Sequence, residues 1–499
     1  YRVLLLEQGR RFEPGDFART NWNLRRWLWA PRLGLRGPFR MTFLRHLTAL
    51  SGVGVGGGSL VYAGVLSAPS DDFFRAPSWA GLADWRQELA PHYATARRML
   101  GAATFPGETT PDRLVAAIAR DLGREGDHRP TDVGVFFGNP GETVPDPFFD
   151  GAGPDRTGCT RCGGCMVGCR HGAKNTLDRN YLWLAERKGL QIRAQTRVTA
   201  LRPVDGGWEV EAVDGRRPRR RPVTLRAGRI VLAGGVLGTV PLLLRMRAAG
   251  ALPLISAHLG DYVRTNSEVL MGVVAPGADM AEGVAITSLL RTGERSTLQP
   301  VRYPPGSGAL RVLQFPHAPG DTLGARLAET LRRGLRHPLR LARAWLVRDW
   351  ARSTLILLYM STDDGHLRLR LRRSGRIITD ASGGRAPRAS IPEATDLGDR
   401  IAGMTGGYAV SFIMETLSGT PTTAHILGGC VMGPSAEEGV IGPDHQVWGY
   451  PGLYVVDGSA VSANPGVNPA LTICALAERA MGRIPARVPG DPLARTVRV

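Results

Sequence analysis

A chain of 499 residues is longer than one ordinary domain, so two interleaved domains around a substantial core are the starting expectation. The net charge of +19 is carried almost wholly by arginine, with Lys174 and Lys188 the only lysines; with no RNA- or DNA-binding motif beside it, that excess gives no case for a nucleic-acid partner. The longest apolar tract, Ile230 to Leu244, is broken by Gly234, Gly235, Gly238 and Pro241, which excludes a transmembrane helix. The expected location is cytoplasmic or peripheral to a membrane, with secretion left open because the sequence begins at Tyr1 rather than Met.

Tyr1 to Leu6 is an apolar run that ends in Glu7-Gln8-Gly9. The second strand of a dinucleotide-binding βαβ unit ends this way, its acid holding the adenosine ribose. The first strand and its G-x-G-x-x-G turn should precede it, so this reading expects about 30 residues upstream of Tyr1. A strand end without functional weight is the alternative for Glu7. Arg19 to Arg45, rich in Arg, Trp and Pro, is expected to lie on the cofactor domain as an irregular lid. Ser51 to Leu66 follows, with five glycines from Gly52 to Gly58. A glycine run alone is as much a flexible loop as a cofactor cradle, although it lets main chain approach a ligand closely.

Asp84 to Leu100 and Pro111 to Leu122 carry helical spacing within an otherwise Pro-, Gly- and Asp-rich segment. Cys159, Cys162, Cys165 and Cys169 then follow C-x2-C-x2-C-x3-C, the spacing of a ferredoxin-type loop, with Arg170 where that pattern has Pro. An iron–sulfur cluster, a disulfide-stapled or free-thiol loop, and zinc stand as alternatives in that order. Cys430 and Cys474 lie in apolar surroundings and read as packing residues.

From Gln191 the pattern turns to strands, with Arg216 to Arg221 as a solvated basic turn, and Arg229 to Arg245 reads as a buried strand, a small-residue turn and a helix. Later alternation, at Leu355 to Met360 and His366 to Leu371, points to an antiparallel sheet. Asp321 to Arg352 holds eight arginines, with Leu323, Leu327, Leu331 and Leu335 at every fourth position and a break at Pro338. Two basic amphipathic helices are expected there. Packing on the sheet domain with a solvated basic face is the first reading, and peripheral membrane contact through 321–352 is the second.

The C-terminal stretch organises the rest. HILGGCVMG starts at His425; Leu453 to Val456 is an apolar run ending in Asp457-Gly458-Ser459; and Pro469 to Met481 has helical spacing. Strand, loop and helix bring Asp457, Asn468 and a helix N-terminus to one place, which suits an electron-rich group such as a reduced flavin.

HILGGCVMG, DGS and GVNPALTI resemble the C-terminal half of the glucose–methanol–choline (GMC) flavin oxidoreductases, in their cholesterol oxidase-like branch. The resemblance implies an α/β fold: a Rossmann-like FAD-binding domain, here without its N-terminal βα element, interleaved with an α+β substrate domain built on an antiparallel sheet. It divides the chain into FAD-binding parts at 1–70, 159–244 (with the Cys-rich loop) and 423–499, a helical or irregular insertion at 71–158 and a substrate domain at 245–422. The family's catalytic His and Asn fall on His425 and Asn468, with Ile426 where the family has Pro. Cofactor contacts fall on Glu7, Gly52, Gly58, Ser59, Tyr62, Val198, Asp457 and Gly458; the branch tends to have Asn in place of Tyr62. A glutamate in the substrate domain faces the substrate hydroxyl in this branch, and if TLQPVRY is its counterpart Gln299 stands there. Some GMC dehydrogenases carry an iron–sulfur cluster in a comparable loop ahead of a Gly-Ala pair, which Gly172-Ala173 resembles. The implied function is FAD-dependent oxidation of a sterol-like or other hydrophobic alcohol to a ketone, with oxygen or an electron-transfer partner as acceptor. An iron–sulfur dehydrogenase and a non-catalytic remnant unable to hold FAD are the alternatives.

Overall fold

Three remote parts of the chain meet in short parallel ladders in the computed structural model, which describes residues 1–216, 221–382 and 384–486. Leu4–Leu6 pairs with Gln191–Arg193, and Ile230–Leu232 with Leu453–Val455. Parallel neighbours need long crossovers, so each strand takes its partner from a distant segment and the expected interleaving follows. Most of the basic turn at Arg216 to Arg221, and residues 487–499, lie outside the described residues.

The helices follow from their apolar spacing. Trp85–Met99 starts at Asp84, whose side chain accepts from the Gln87 amide, and it buries Trp85, Leu89, Tyr93 and Ala96. It shares one core with Val236–Ala248 and Ala470–Arg483 through Val240, Leu243, Leu471 and Leu476. Each such side chain contributes about 1.5–3 kcal/mol of burial.

The second domain is built on a seven-stranded antiparallel sheet, ordered Gln314–Pro316, Tyr408–Phe412, Val269–Val274, Thr354–Ser361, Ser296–Val301, Ser288–Arg291 and His128–Pro130. The edge strand His128–Pro130 comes from the 71–158 segment. Central strands are buried on both faces: Leu298, Tyr359 and Met271 pack with Thr110–Asp121 and Pro392–Thr405, while Val301, Leu358 and Met360 face a second cluster that includes Cys165.

Two expectations are corrected. Arg19 to Arg45 is not an irregular lid throughout: Phe39–Phe43 forms a hairpin with Thr48–Gly52, which in turn pairs in parallel with Thr422–Thr423. The helix Leu323–Arg336 turns the opposite way from the first reading, whereas Pro338–Leu346 packs Leu341 and Ala344 inward and leaves Arg343 exposed. Arg326 is buried, its guanidinium donating to Thr416 O at 2.6 Å, and Arg333 pairs with Glu329 and Asp399, whereas Leu331, Leu335 and Leu339 are exposed by 64%, 73% and 71%. Among the described residues no helix is long and apolar enough to cross a membrane.

Candidate active site

The pairing of Thr48–Ala49 with Thr422–Thr423 places the glycine-rich loop beside the turn that carries His425. That turn is held from three sides. The His425 amide donates to Thr423 Oγ1 at 2.9 Å, Leu427 and Arg264 exchange main-chain hydrogen bonds, and Gly428 and Cys430 donate to Gly458 and Ser459 carbonyls. His425 Nδ1 lies 2.5 Å from Glu268 Oε2, and the other Glu268 oxygen accepts from the Ala424 amide. The Glu268 side chain is fully buried. With Nδ1 engaged, Nε2 is the ring nitrogen left to face a substrate.

Asn266 ties this pair to Asn468. Its side chain donates to Val467 O at 3.0 Å and accepts from Gly466 N at 2.8 Å, while its amide donates to Asn464 Oδ1. Asn266 adopts φ +58, a left-handed conformation that Asn tolerates better than most residues. Asn468 Oδ1 is buried without a hydrogen-bond partner among the described residues, at the head of Ala470–Arg483. Such an atom calls for an explanation, and a bound cofactor or substrate supplies one. The turn of His425 and the loop of Asn468 are thus linked through Glu268 and Asn266, two residues that sequence reading missed.

The carboxylate beside His425 is Glu268, which the sequence reading did not single out. Gln299 is buried in Ser296–Val301 with neither amide atom partnered among the described residues. Its neighbour on the same face, Thr297, donates to Gly466 O at 2.8 Å, so this face looks toward the Asn468 loop. Glu415 also escaped notice. It is fully buried near Glu268, and burial pushes its carboxyl up to about 8, with Glu268 adding to the rise.

Glu7 Oε1 accepts from Gly9 N at 2.6 Å and Gly54 N at 3.2 Å, fastening the start of the glycine loop, and burial raises its carboxyl despite these bonds. Its carbonyl accepts from Thr196, two residues before Val198. A Cβ on Gly52 would meet Gly57 O at 2.5 Å, whereas at Gly57 and Gly58 nothing lies within 4 Å, so the loop folds tightly on one side and is open on the other. Ser59 Oγ donates to Gly56 O and accepts from Leu177 N; Tyr62 Oη donates to Asn175 O at 2.6 Å, and burial raises its phenol. Asp457 spends both carboxylate oxygens inside the protein, on Ser459 and on Gly235 N and Thr239 Oγ1. It therefore positions Gly458 and the 234–239 turn rather than offering a free side-chain acceptor. An open glycine cradle, a helix N-terminus and an unpartnered Asn468 oxygen fit a flavin nucleotide.

The four loop cysteines line one cavity, and none is in a disulfide. Among the described residues no three His, Cys, Asp or Glu side chains are grouped to hold a metal ion, so neither the iron–sulfur nor the zinc alternative gains support and the free-thiol reading is the one the loop fits. Lys174 is buried beside them, its ammonium donating to the carbonyls of Cys165, Leu60 and Tyr62 at 2.6, 2.9 and 3.1 Å.

Residues 152–263 and 350–477 match the N- and C-terminal sequence profiles of GMC oxidoreductases. The chain is similar to a cholesterol oxidase of Mycobacterium tuberculosis, 46% identical over 499 aligned residues that cover 96% of this chain and 86% of the relative. It is also similar to a cholesterol oxidase of Acinetobacter baumannii, 40% identical over 507 aligned residues covering 98% and 90%. Its fold is similar to the crystal structure of pyridoxine 4-oxidase from Mesorbium loti, with a TM-score of 0.57, 17% identity and coverage of 97% and 94%.

Proposed function

The chain belongs to the GMC oxidoreductase family, and on that premise we propose that it oxidises the secondary hydroxyl of a sterol-like alcohol at His425, with oxygen as the acceptor. FAD-dependent oxidation of alcohol groups is the family's activity, and bound FAD supplies the acceptor for a hydride from the carbinol carbon. His425 Nε2 accepts the hydroxyl proton. The buried Glu268 carboxylate on Nδ1 fixes the ring's tautomer and orientation and stabilises the imidazolium that results. Asn468 Oδ1 and the Gln299 amide, both unpartnered and buried, are suited to orient substrate or cofactor. Gly52, Gly58, Ser59, Tyr62, Glu7 and Val198 would hold the cofactor, largely through main chain, with Asp457 and Gly458 shaping the turn beside it. The observation that carries this reading is the His425–Glu268 pair fastened to the Asn468 loop by Asn266.

The sterol is supported by the two cholesterol oxidase relatives. Anaerobic mixing of flavin-loaded enzyme with a 3β-hydroxysterol should bleach the flavin at least tenfold faster than a long-chain primary alcohol, and admission of air should give hydrogen peroxide. Faster bleaching by the primary alcohol would overturn the substrate assignment. The exposed Leu331, Leu335 and Leu339 among arginines support peripheral contact with an anionic lipid surface that stores such a substrate. Flotation with anionic vesicles, lost on replacing Leu331 and Leu335 by Glu, is the expected result; no flotation of the parent protein would refute it.

A further inference from the structure

We propose that Glu415 is a positioning residue for the oxidation: it stays a protonated acid behind the His425 turn, leaves the negative charge there to Glu268, and sets the upper pH limit of the Glu268–His425 pair. The proposal rests on the alcohol reading and extends it to a second carboxyl.

Strand pairing brings the two carboxyls to one place. Tyr408–Phe412 runs antiparallel to Val269–Val274, with Gly272 opposite Val410. The end of the first strand therefore lies beside the start of the second. Glu415, just past Phe412 in the helix Ile413–Ser418, reaches the same end of the sheet as Glu268, just before Val269. Both are buried, at 5% and 1% exposure. The segment that leads into His425 joins them: the Thr422 amide bonds the Glu415 carboxyl, and the Ala424 amide donates to Glu268 Oε1.

Like charges repel strongly where water is excluded, so two neighbouring buried carboxyls both ionise only at a high cost. The surrounding elements do little to lower it. From Leu323–Arg336 comes Arg326, whose guanidinium is committed to the carbonyls of Gly320, Thr416 and Leu417. Arg333 on that helix is held by Glu329 and Asp399. Beside Gln314–Pro316 stands His317, bonded to Thr395 Oγ1 and kept neutral by burial. Tyr408 belongs to the strand before the helix, and Arg45 reaches this region through its carbonyl, which accepts from Thr420. Among the described residues none of these forms an ion pair with Glu415.

The hydrogen bonds decide which carboxyl keeps the charge. Glu268 has a partner on each oxygen, whereas Glu415 Oε2 has none among the described residues. The charge therefore belongs on Glu268 and the proton on Glu415. Burial, with Glu268 beside it, pushes the Glu415 carboxyl up to about 8. Ionisation above that range sets a second negative charge against Glu268 and loosens it from the imidazole it orients, so proton transfer to His425 slows.

The test uses the flavin-loaded chain, with Glu415→Gln to remove the proton and Glu268→Gln to remove the neighbouring charge. Infrared difference spectra taken without substrate, from about pH 6 to 10, should show the carbonyl stretch of a protonated carboxylic acid vanish with a midpoint near 8. That band should be missing from Glu415→Gln, and in Glu268→Gln its midpoint should fall because the like charge is gone. Stopped-flow reduction of the flavin by alcohol should show an alkaline decline of at least about threefold in the parent, absent from both variants. A band that persists in Glu415→Gln, a midpoint unmoved in Glu268→Gln, or the same alkaline decline in Glu415→Gln would overturn the proposal. Should Glu415→Gln not fold, the midpoints of the parent and Glu268→Gln decide. An alcohol that leaves the flavin oxidised at every pH would sink the alcohol reading, while the infrared midpoints still report whether the two carboxyls are coupled.

Discussion

Around His425 a buried carboxylate is answered by groups of the same chain: Glu268 gives one oxygen to the imidazole and the other to the Ala424 amide. Around Lys174 a buried ammonium donates to three carbonyls, with Asp178 and the loop thiols near enough to favour its charge. Both clusters bury charge, but only in the first does another side chain meet it by a direct hydrogen bond. On the proposed mechanism the first supplies the proton acceptor and the carboxylate that orients it.

The largest expected effect breaks the first cluster. His425→Ala should lower kcat by about two to four orders of magnitude, the range for removing a general acid–base group, while flavin content stays at the parent level. Turnover within threefold of the parent would remove His425 from the chemistry. A smaller effect is expected from Lys174→Met, which leaves three buried carbonyls without their donor. It should cost about 3 kcal/mol in urea unfolding, and a loss below ~0.5 kcal/mol would mean that the ammonium is not needed there.

The smallest effect is a pH dependence. Glu415 holds its proton to about pH 8 in the folded protein against a usual value of 4.5. A raised carboxyl contributes stability that is fully present below about pH 4.5 and is lost as pH rises through 8. Glu415→Gln cannot ionise, so its melting temperature should gain on the parent's between pH 5 and 9. Parallel curves would show that Glu415 ionises freely in the fold.

The asymmetry between the two clusters also marks what was legible in the sequence. The cysteine spacing and the His425, Asp457 and Asn468 motifs are local patterns, and local patterns survive reading in one dimension. The helices at Trp85–Met99, Thr110–Asp121 and Ala470–Arg483 were legible for the same reason, through periodic burial. Glu268 was not, because it meets His425 across 157 residues and precedes its strand in a polar run with no periodicity. Asn266 acts through a left-handed backbone that composition does not reveal. The leucine stripe at 323–335 was visible, but periodicity identifies a stripe without saying which way it faces; the partly buried ion pairs of Arg333 and the seat of Arg326 decided that.

The central claim is that Glu268 works through His425, as one unit. Anaerobic stopped-flow measurement of flavin reduction in Glu268→Gln, His425→Ala and the double variant tests it, with flavin content measured in each. Glu268→Gln alone should slow reduction by about 10- to 100-fold, on the order seen when a buried carboxylate that orients a catalytic histidine loses its charge. If the two residues form one unit, the double variant reduces flavin as fast as His425→Ala alone, within about threefold. A double variant slower by the product of the two single losses would contradict the account.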